Sequence, residues 1–227
     1  MVLYGILHSQ DSTNSLNYGS LNENQAGYVT HTLADITISG NTSGAVSLQS
    51  DNTSYNIDND YLLMPDSVYI LQVNDPENEV RAEVKVHFPP AINLTSTPLD
   101  TIHITNPGSV AGLVDWNSLE NDRYSFIFRL ENLEQNPIPL PIDGDLFDQR
   151  YNGPQLQSQV VLLESDFGFY GRHRLSVFAI NKEFEDVFFY DPSDLRGLLR
   201  NGPDNITGAG GFVAGVSGFM LEFIVQD

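Results

Sequence analysis

The chain has 227 residues, 41% hydrophobic and 11% aromatic, with 30 acidic against 10 basic side chains, a formal net charge of -20 and no cysteine. That length and apolar content suffice for one large or two smaller cored domains. The charge excludes nucleic acid, whose binding needs cations to release counterions, and disfavours anionic membrane surfaces; the missing cysteine removes disulfides, cysteine-bound zinc, iron–sulfur clusters and thiol catalysis.

The opening residues carry no basic n-region and no long apolar run, so they do not read as a signal peptide. No stretch has the length of a transmembrane helix. Every Lys and Arg lies at or beyond Arg81, so the first part of the chain carries acid without base. Short strands separated by polar turns follow. Ala34–Ser39 alternates with period two, Asn41–Gly44 reads as a turn, and Ala45–Leu48 and Tyr55–Ile57 are short strands. Val68–Val73 is a strong strand, and Asn74–Asn78 turns into Val80–Phe88. There Val80, Ala82, Val84, Val86 and Phe88 share one face, and Arg81, Glu83, Lys85 and His87 the other. One buried and one wet face is the habit of an antiparallel sandwich. Pro89 and Pro90 stop the ladder, and 91–100 reads as a linker.

A second set of strands is predicted over Thr101–Thr105, Val110–Trp116, Arg123–Leu130, Gln157–Glu164, Arg172–Ile180, Asp186–Tyr190 and Phe219–Val225. Between them, 131–156 carries Pro137, Pro139, Pro141, Gly144, Gly153 and Pro154 and reads as a long irregular insertion, the kind of segment that holds a binding surface. A short helix is predicted over 192–201. The fold expected is therefore all-β: an antiparallel β-sandwich over 1–90, then a second antiparallel β domain over 101–227.

Motifs that carry chemistry are scarce. The glycine-rich run 202–219 lacks the lysine of a phosphate-binding loop and the spacing of a dinucleotide fingerprint. It reads as a turn into the last strand, with Gly210 and Gly211 in conformations closed to other residues. The histidines His8, His31, His87, His103 and His173 show no metal-ligand spacing, and no serine sits in a nucleophile elbow. Asp75–Glu79 and Asp51–Asp60 offer oxygen ligands but match no EF-hand loop. No metal or cofactor is expected. The candidate ligand-binding residues are the aromatics Trp116, Phe147, Tyr151, Phe169 and Tyr170, able to stack on a sugar ring or anchor a protein, and Arg172 and Arg174, which share one strand face and could meet a small anion.

The order and spacing of several segments resemble the DUF4249 family of Bacteroidetes outer-membrane lipoproteins. They are Val2–Ile6, Leu33–Ile38, Leu62–Val73 with its Tyr-x-Leu-x-Val ending, Val80–Pro90, Gly171–Asn181 with Glu183 and Phe184, and Pro203–Phe212. The resemblance implies an N-terminal immunoglobulin- or transthyretin-like β-sandwich, a second β domain, and an outer-membrane location through a lipid anchor, on a mature chain whose start has been trimmed. It implies no activity and no catalytic residue. The function expected is a non-enzymatic envelope binding or accessory module, linked to outer-membrane transport, with a protein, small-molecule or glycan ligand. The alternatives are a structural or assembly component of the outer membrane and a carbohydrate-active hydrolase.

Overall fold

The chain folds as β structure in a computed structural model that describes residues 1–9, 14–22, 27–31, 33–40, 44–51, 54–58, 60–105, 108–120, 122–140, 149–188 and 205–227, with side chains at all of these except 21–22, 27–30, 149–152 and 188. In chain order the strands are β1 (Val2–His8), β2 (Ser15–Asn22), β3 (Gly27–Thr30), β4 (Asp35–Gly40), β5 (Val46–Ser47), β6 (Gln49–Ser50), β7 (Tyr55–Asn56), β8 (Val68–Asp75), β9 (Val80–His87), β10 (Thr101–His103), β11 (Val110–Asp115), β12 (Tyr124–Asn132), β13 (Gln149–Gln155), β14 (Gln159–Leu163), β15 (Gly171–Asn181), β16 (Ile206–Thr207) and β17 (Gly210–Gln226). Helix among the described residues is confined to two 3-10 segments, Glu164–Asp166 and Lys182–Phe188.

Two compact units result. The first comprises Met1–Ala91 with Ile180–Ser217, the second Ile92–Ala179 with Gly218–Asp227. The first cut falls beside the Pro-Pro pair, where the alternation ends. The assignment of all of 101–227 to a second domain is corrected: 180–217 returns to the first unit. The physical reason is β1, whose apolar residues need a partner strand and find it in parallel register with β17, Leu3 opposite Gly211 and Leu7 opposite Gly215.

The first unit is a β-sandwich. One sheet has the antiparallel order β16-β9-β8-β4-β5; the other runs β17-β1-β2-β7-β6, with β3 also on β2. Alternation fixes the core. Tyr69, Leu71 and Val73 of β8, and Ala82, Val84 and Val86 of β9, point inward and join Ile36 and Ile38 of β4. They meet Leu3, Leu7, Leu16, Tyr18 and Val213 from the other sheet in one cluster, each large apolar side chain worth roughly 1.5–3 kcal/mol on burial. On the opposite side of the β1/β17 pair, Phe184 and Val187 cover Phe212 and Ala214, with Tyr4 and Ile6 at the margin. The strand expected over 186–190 is thus a 3-10 helix as far as Phe188: residues three apart face inward, which a period-two reading mistakes for a strand.

The second unit packs a two-stranded sheet, β11 with β14, on the order β13-β12-β15-β17, with β10 also on β17. Val114, Trp116, Val160 and Leu162 meet Phe126, Phe128, Leu130, Leu175, Val177, Phe223 and Val225. The β11/β14 and β12/β13 pairs are antiparallel, whereas β10 runs parallel to β17. Residues 91–100 are not a free linker: Ile92 is buried, Leu94 bridges to Trp116, and the Thr95 and Ser96 amides donate to the Asp115 carbonyl. The segment 131–156 is less irregular than expected, since β12 runs to Asn132 and β13 fills Gln149–Gln155. The short helix expected over 192–201 lies outside the described residues.

Candidate functional site

Three places concentrate polar chemistry or uncovered apolar surface. The first is a chain of side chains in the first unit, which sequence reading missed because its members come from β2, the residue after β3 and the β8–β9 turn. Ser20 Oγ lies 3.1 Å from His31 Nε2, His31 Nδ1 lies 3.2 Å from Asn78 Nδ2, and Asn78 Nδ2 lies 2.8 Å from Asp75 Oδ2. The order serine, histidine, amide, acid resembles a hydrolytic relay, but its polarity is wrong. The ionised Asp75 only accepts, so the Asn78 amide nitrogen faces it and also donates to His31 Nδ1. The ring proton then sits on Nε2 and is donated to Ser20. A base that gives its proton to the hydroxyl cannot remove one from it.

Asp75 itself is buried and also accepts from the Tyr18 hydroxyl at 3.0 Å and the Asn78 amide at 3.1 Å. Burial raises its carboxyl, but these hydrogen bonds and the neighbouring His31 outweigh it and hold Asp75 below the ordinary carboxylate range. Burial and the Asp75 carboxylate push the Tyr18 phenol up. Asp51, which opens the other loop considered for calcium, is taken by the Ser54 amide and hydroxyl and by Asn56. Among the described residues no three His, Asp or Glu side chains come together to hold a metal ion.

The second place is the start of β15, where three of the sequence-predicted residues lie. Arg172 pairs with Glu134 at 3.5 Å, and its backbone amide donates to the same carboxylate at 2.9 Å. Arg174 reaches Glu222 at 2.6 Å and Glu131 at 3.4 Å, and Arg129 also holds Glu131. Tyr170 is half-buried, and a hydrogen bond to the Asp227 carboxylate raises its phenol. Between the two arginines, His173 turns inward. It stacks on Phe223 at 6.1 Å and meets Phe167 edge-on at 5.3 Å, and burial lowers its pKa. Both arginines are already matched by this chain's own carboxylates. An anion would have to displace them.

The other predicted residues are not gathered there. Trp116 is a core side chain, edge-on to Phe126 at 5.3 Å and Phe219 at 6.3 Å. Phe169 is buried as well, its backbone bridged to Pro139. Neither presents a ring face for stacking on a sugar. Tyr151 lies on β13 opposite Arg129. Phe147 lies outside the described residues.

The third place is the outer face of the β11/β14 sheet. Three cross-strand pairs line it: Val110 with Leu163, Leu113 with Val161, and Asp115 with Gln159. The four apolar members are 63%, 36%, 43% and 46% exposed in that order. Their neighbours Val114, Val160 and Leu162 are buried, so the strands alternate as a half-buried sheet should, but with apolar residues on both faces. The exposed face of β9, by contrast, carries Arg81, Glu83 and Lys85. The signal was present in the sequence as an unbroken apolar run, Val160–Leu163, which reads as a strand buried on both sides.

No protein-family model matches the chain, and none of the curated proteins matches it. Among solved structures, it is similar to the FN1–FN3 domains of chicken CNTN1 at 9% identity and a TM-score of 0.23, over 96% of this chain and 62% of that one. The chain thus spans less than two thirds of that fragment. It is also similar to CBD12 from CALX1.2, at 10% identity and a TM-score of 0.21, over 98% of this chain and 99% of that one. Likenesses at these scores bear on neither mechanism nor partner. No helix among the described residues is long and apolar enough to cross a membrane.

Proposed function

We propose that this chain is a non-enzymatic binding or accessory module of the cell envelope, and that it works through the outer face of β11 and β14. The observation that carries the reading is four exposed aliphatic side chains in two adjacent cross-strand pairs, on a chain with a formal net charge of -20. Contiguous uncovered apolar surface of this kind marks interaction sites. The inverted polarity of the Ser20–His31–Asn78–Asp75 chain supports a non-enzymatic role. The envelope location, by a lipid anchor at the outer membrane, rests on the family resemblance of the sequence.

A photo-crosslinking side chain placed at Leu113 or Val161 in the cell of origin tests this. A discrete adduct from those positions, absent when the label sits at Glu83 on β9, is the result expected. Hydrolysis of a chromogenic ester or glycoside that disappears with Ser20→Ala would instead make the chain an enzyme.

A further inference from the structure

We infer that the β11/β14 sheet takes up a short extended strand of another protein, laid along the free edge of β14 with its aliphatic side chains continuing the exposed face; this rests on the reading just given. The direction of the β14 backbone carries the inference. In an antiparallel ladder, alternate residues turn both main-chain groups toward the partner strand, and the residues between turn them away. The Trp116 amide donates to the Ser158 carbonyl at 3.0 Å, so Ser158, Val160 and Leu162 face β11, while Gln159 and Val161 face outward. Three hydrogen bonds agree with this phase. The Thr95 amide reaches the outward carbonyl of Asp115 at 2.8 Å, the Gln155 side-chain amide reaches that of Gln159 at 2.8 Å, and the Leu163 amide donates away from β11 to Asp166 at 2.8 Å. The edge of β14 is thus capped at Gln159 and Leu163 by this chain's own side chains. Between the caps it is open: among the described residues nothing bonds the amide or carbonyl of Val161 or the amide of Gln159.

Those open groups are what a further strand pairs with, and strand addition is a recurrent mode of peptide recognition. A residue set opposite Val161 shares its outer face. An aliphatic side chain there lengthens the Leu113–Val161 row, and one opposite Leu163 lengthens the Val110–Leu163 row. The stretch Gln155–Leu163 has no charged residue and no proline, the devices by which an edge ordinarily repels an incoming strand. It also offers no ion partner to a charged side chain buried against it, so the strand it takes up is uncharged. A second copy of the chain fits less well. Two β14 strands paired antiparallel about Val161 would set Gln159 of each against Leu163 of the other, so each end of the joint would have to admit a Gln155 carboxamide and an Asp166 carboxylate together, between chains of net charge -20.

The probe is the peptide acetyl-Ser-Val-Thr-Val-Thr-Val-Ser-amide, titrated against the full chain beside two versions of itself, one N-methylated at the valines and one at the threonines. In a strand, residues two apart share both a face and an edge, so one version blocks the edge that meets β14 and the other blocks only the far edge. One should bind at least about tenfold more weakly than the parent and the other within about twofold of it. Leu113→Thr with Val161→Thr should abolish binding of the parent peptide. Val161→Pro, which removes an outward amide and no bond to β11, should weaken it as well with the thermal midpoint kept. The comparison of methylated peptides stands alone if that variant does not fold.

Equal affinity for the two methylated peptides would overturn strand addition while leaving the apolar docking face standing. Undiminished binding by the double threonine variant would overturn the reading beneath it, and failure of the parent peptide to bind would overturn the inference. A concentration-dependent dimer in sedimentation, lost in Val161→Pro, would make the occupant a second copy. Flotation with neutral phosphatidylcholine vesicles, lost in the double threonine variant, would make it lipid. Either result contradicts the inference.

Discussion

At Gly211 the backbone has φ +110, and a Cβ built there would sit 2.2 Å from the Leu3 carbonyl oxygen of the paired strand β1. Gly210 beside it is not in the left-handed region, and its Cβ would meet nothing nearer than Val2 Cγ1 at 3.7 Å. Alanine at 211 should therefore cost at least about 1–3 kcal/mol from conformation alone, while Gly210→Ala stays within about 1 kcal/mol. Thermal melts of the two variants check this; equal losses would contradict it. His173 gives a second residue-scale prediction. Its pKa is lowered in the folded chain, so the unfolded chain binds more protons near pH 6 and stability rises with pH there. The contribution is whole above the ordinary histidine pKa and is lost as pH falls below it. The protonated ring would also point a second N–H at the Asn132 amide nitrogen, 3.3 Å from Nε2. Wild type should lose more stability than His173→Gln between pH 8 and pH 5, and parallel pH profiles would remove His173 as the cause. Asp75 acts lower: its carboxyl is held down, so its contribution is present above the ordinary carboxylate pKa and disappears as pH falls through the folded value.

At the scale of elements, the strands that alternate cleanly were legible. Val80 to Phe88 shows the expected inward face at Ala82, Val84, Val86 and Phe88, with Arg81, Glu83, Lys85 and His87 outside. Elements whose partners are remote were not. β1 carries apolar residues toward both of its faces and reads as no alternating strand, because one face meets the sandwich core and the other meets Phe184 and Val187. β17 looked like a glycine turn before a short strand, yet it is strand from Gly210 to Gln226. Its glycines allow close backbone approach to β1, a demand set by the pairing and not by local sequence. The candidate site followed the same rule. Arg172 and Arg174 do share a face, as period two requires, but the carboxylates that hold them come from β12, β17 and the residues after β12. The aromatics are candidates for stacking because they lie in or near predicted loops, where exposure is not legible from local sequence; Trp116 and Phe169 pack inward.

At the scale of the molecule, β17 belongs to both units, Gly210–Ser217 to the first and Gly218–Gln226 to the second. Residues 1–91 alone would lack the parallel partner of β1 and the buried Val213. That fragment should fail to give a cooperative melt, whereas a self-contained sandwich would give one. The central claim is that the apolar β11/β14 face serves binding and not folding. The measurement that tests it most directly is the thermal midpoint of Leu113→Thr with Val161→Thr in the full chain. Surface changes away from packing, caps and strained backbone cost within about 0.5 kcal/mol each, a shift of a few degrees at most in a domain of this size. The account predicts a midpoint within that range and a lower tendency to aggregate. A fall of ten degrees or more (about 3 kcal/mol or above) would mean that the chain itself buries this face, and would contradict the account.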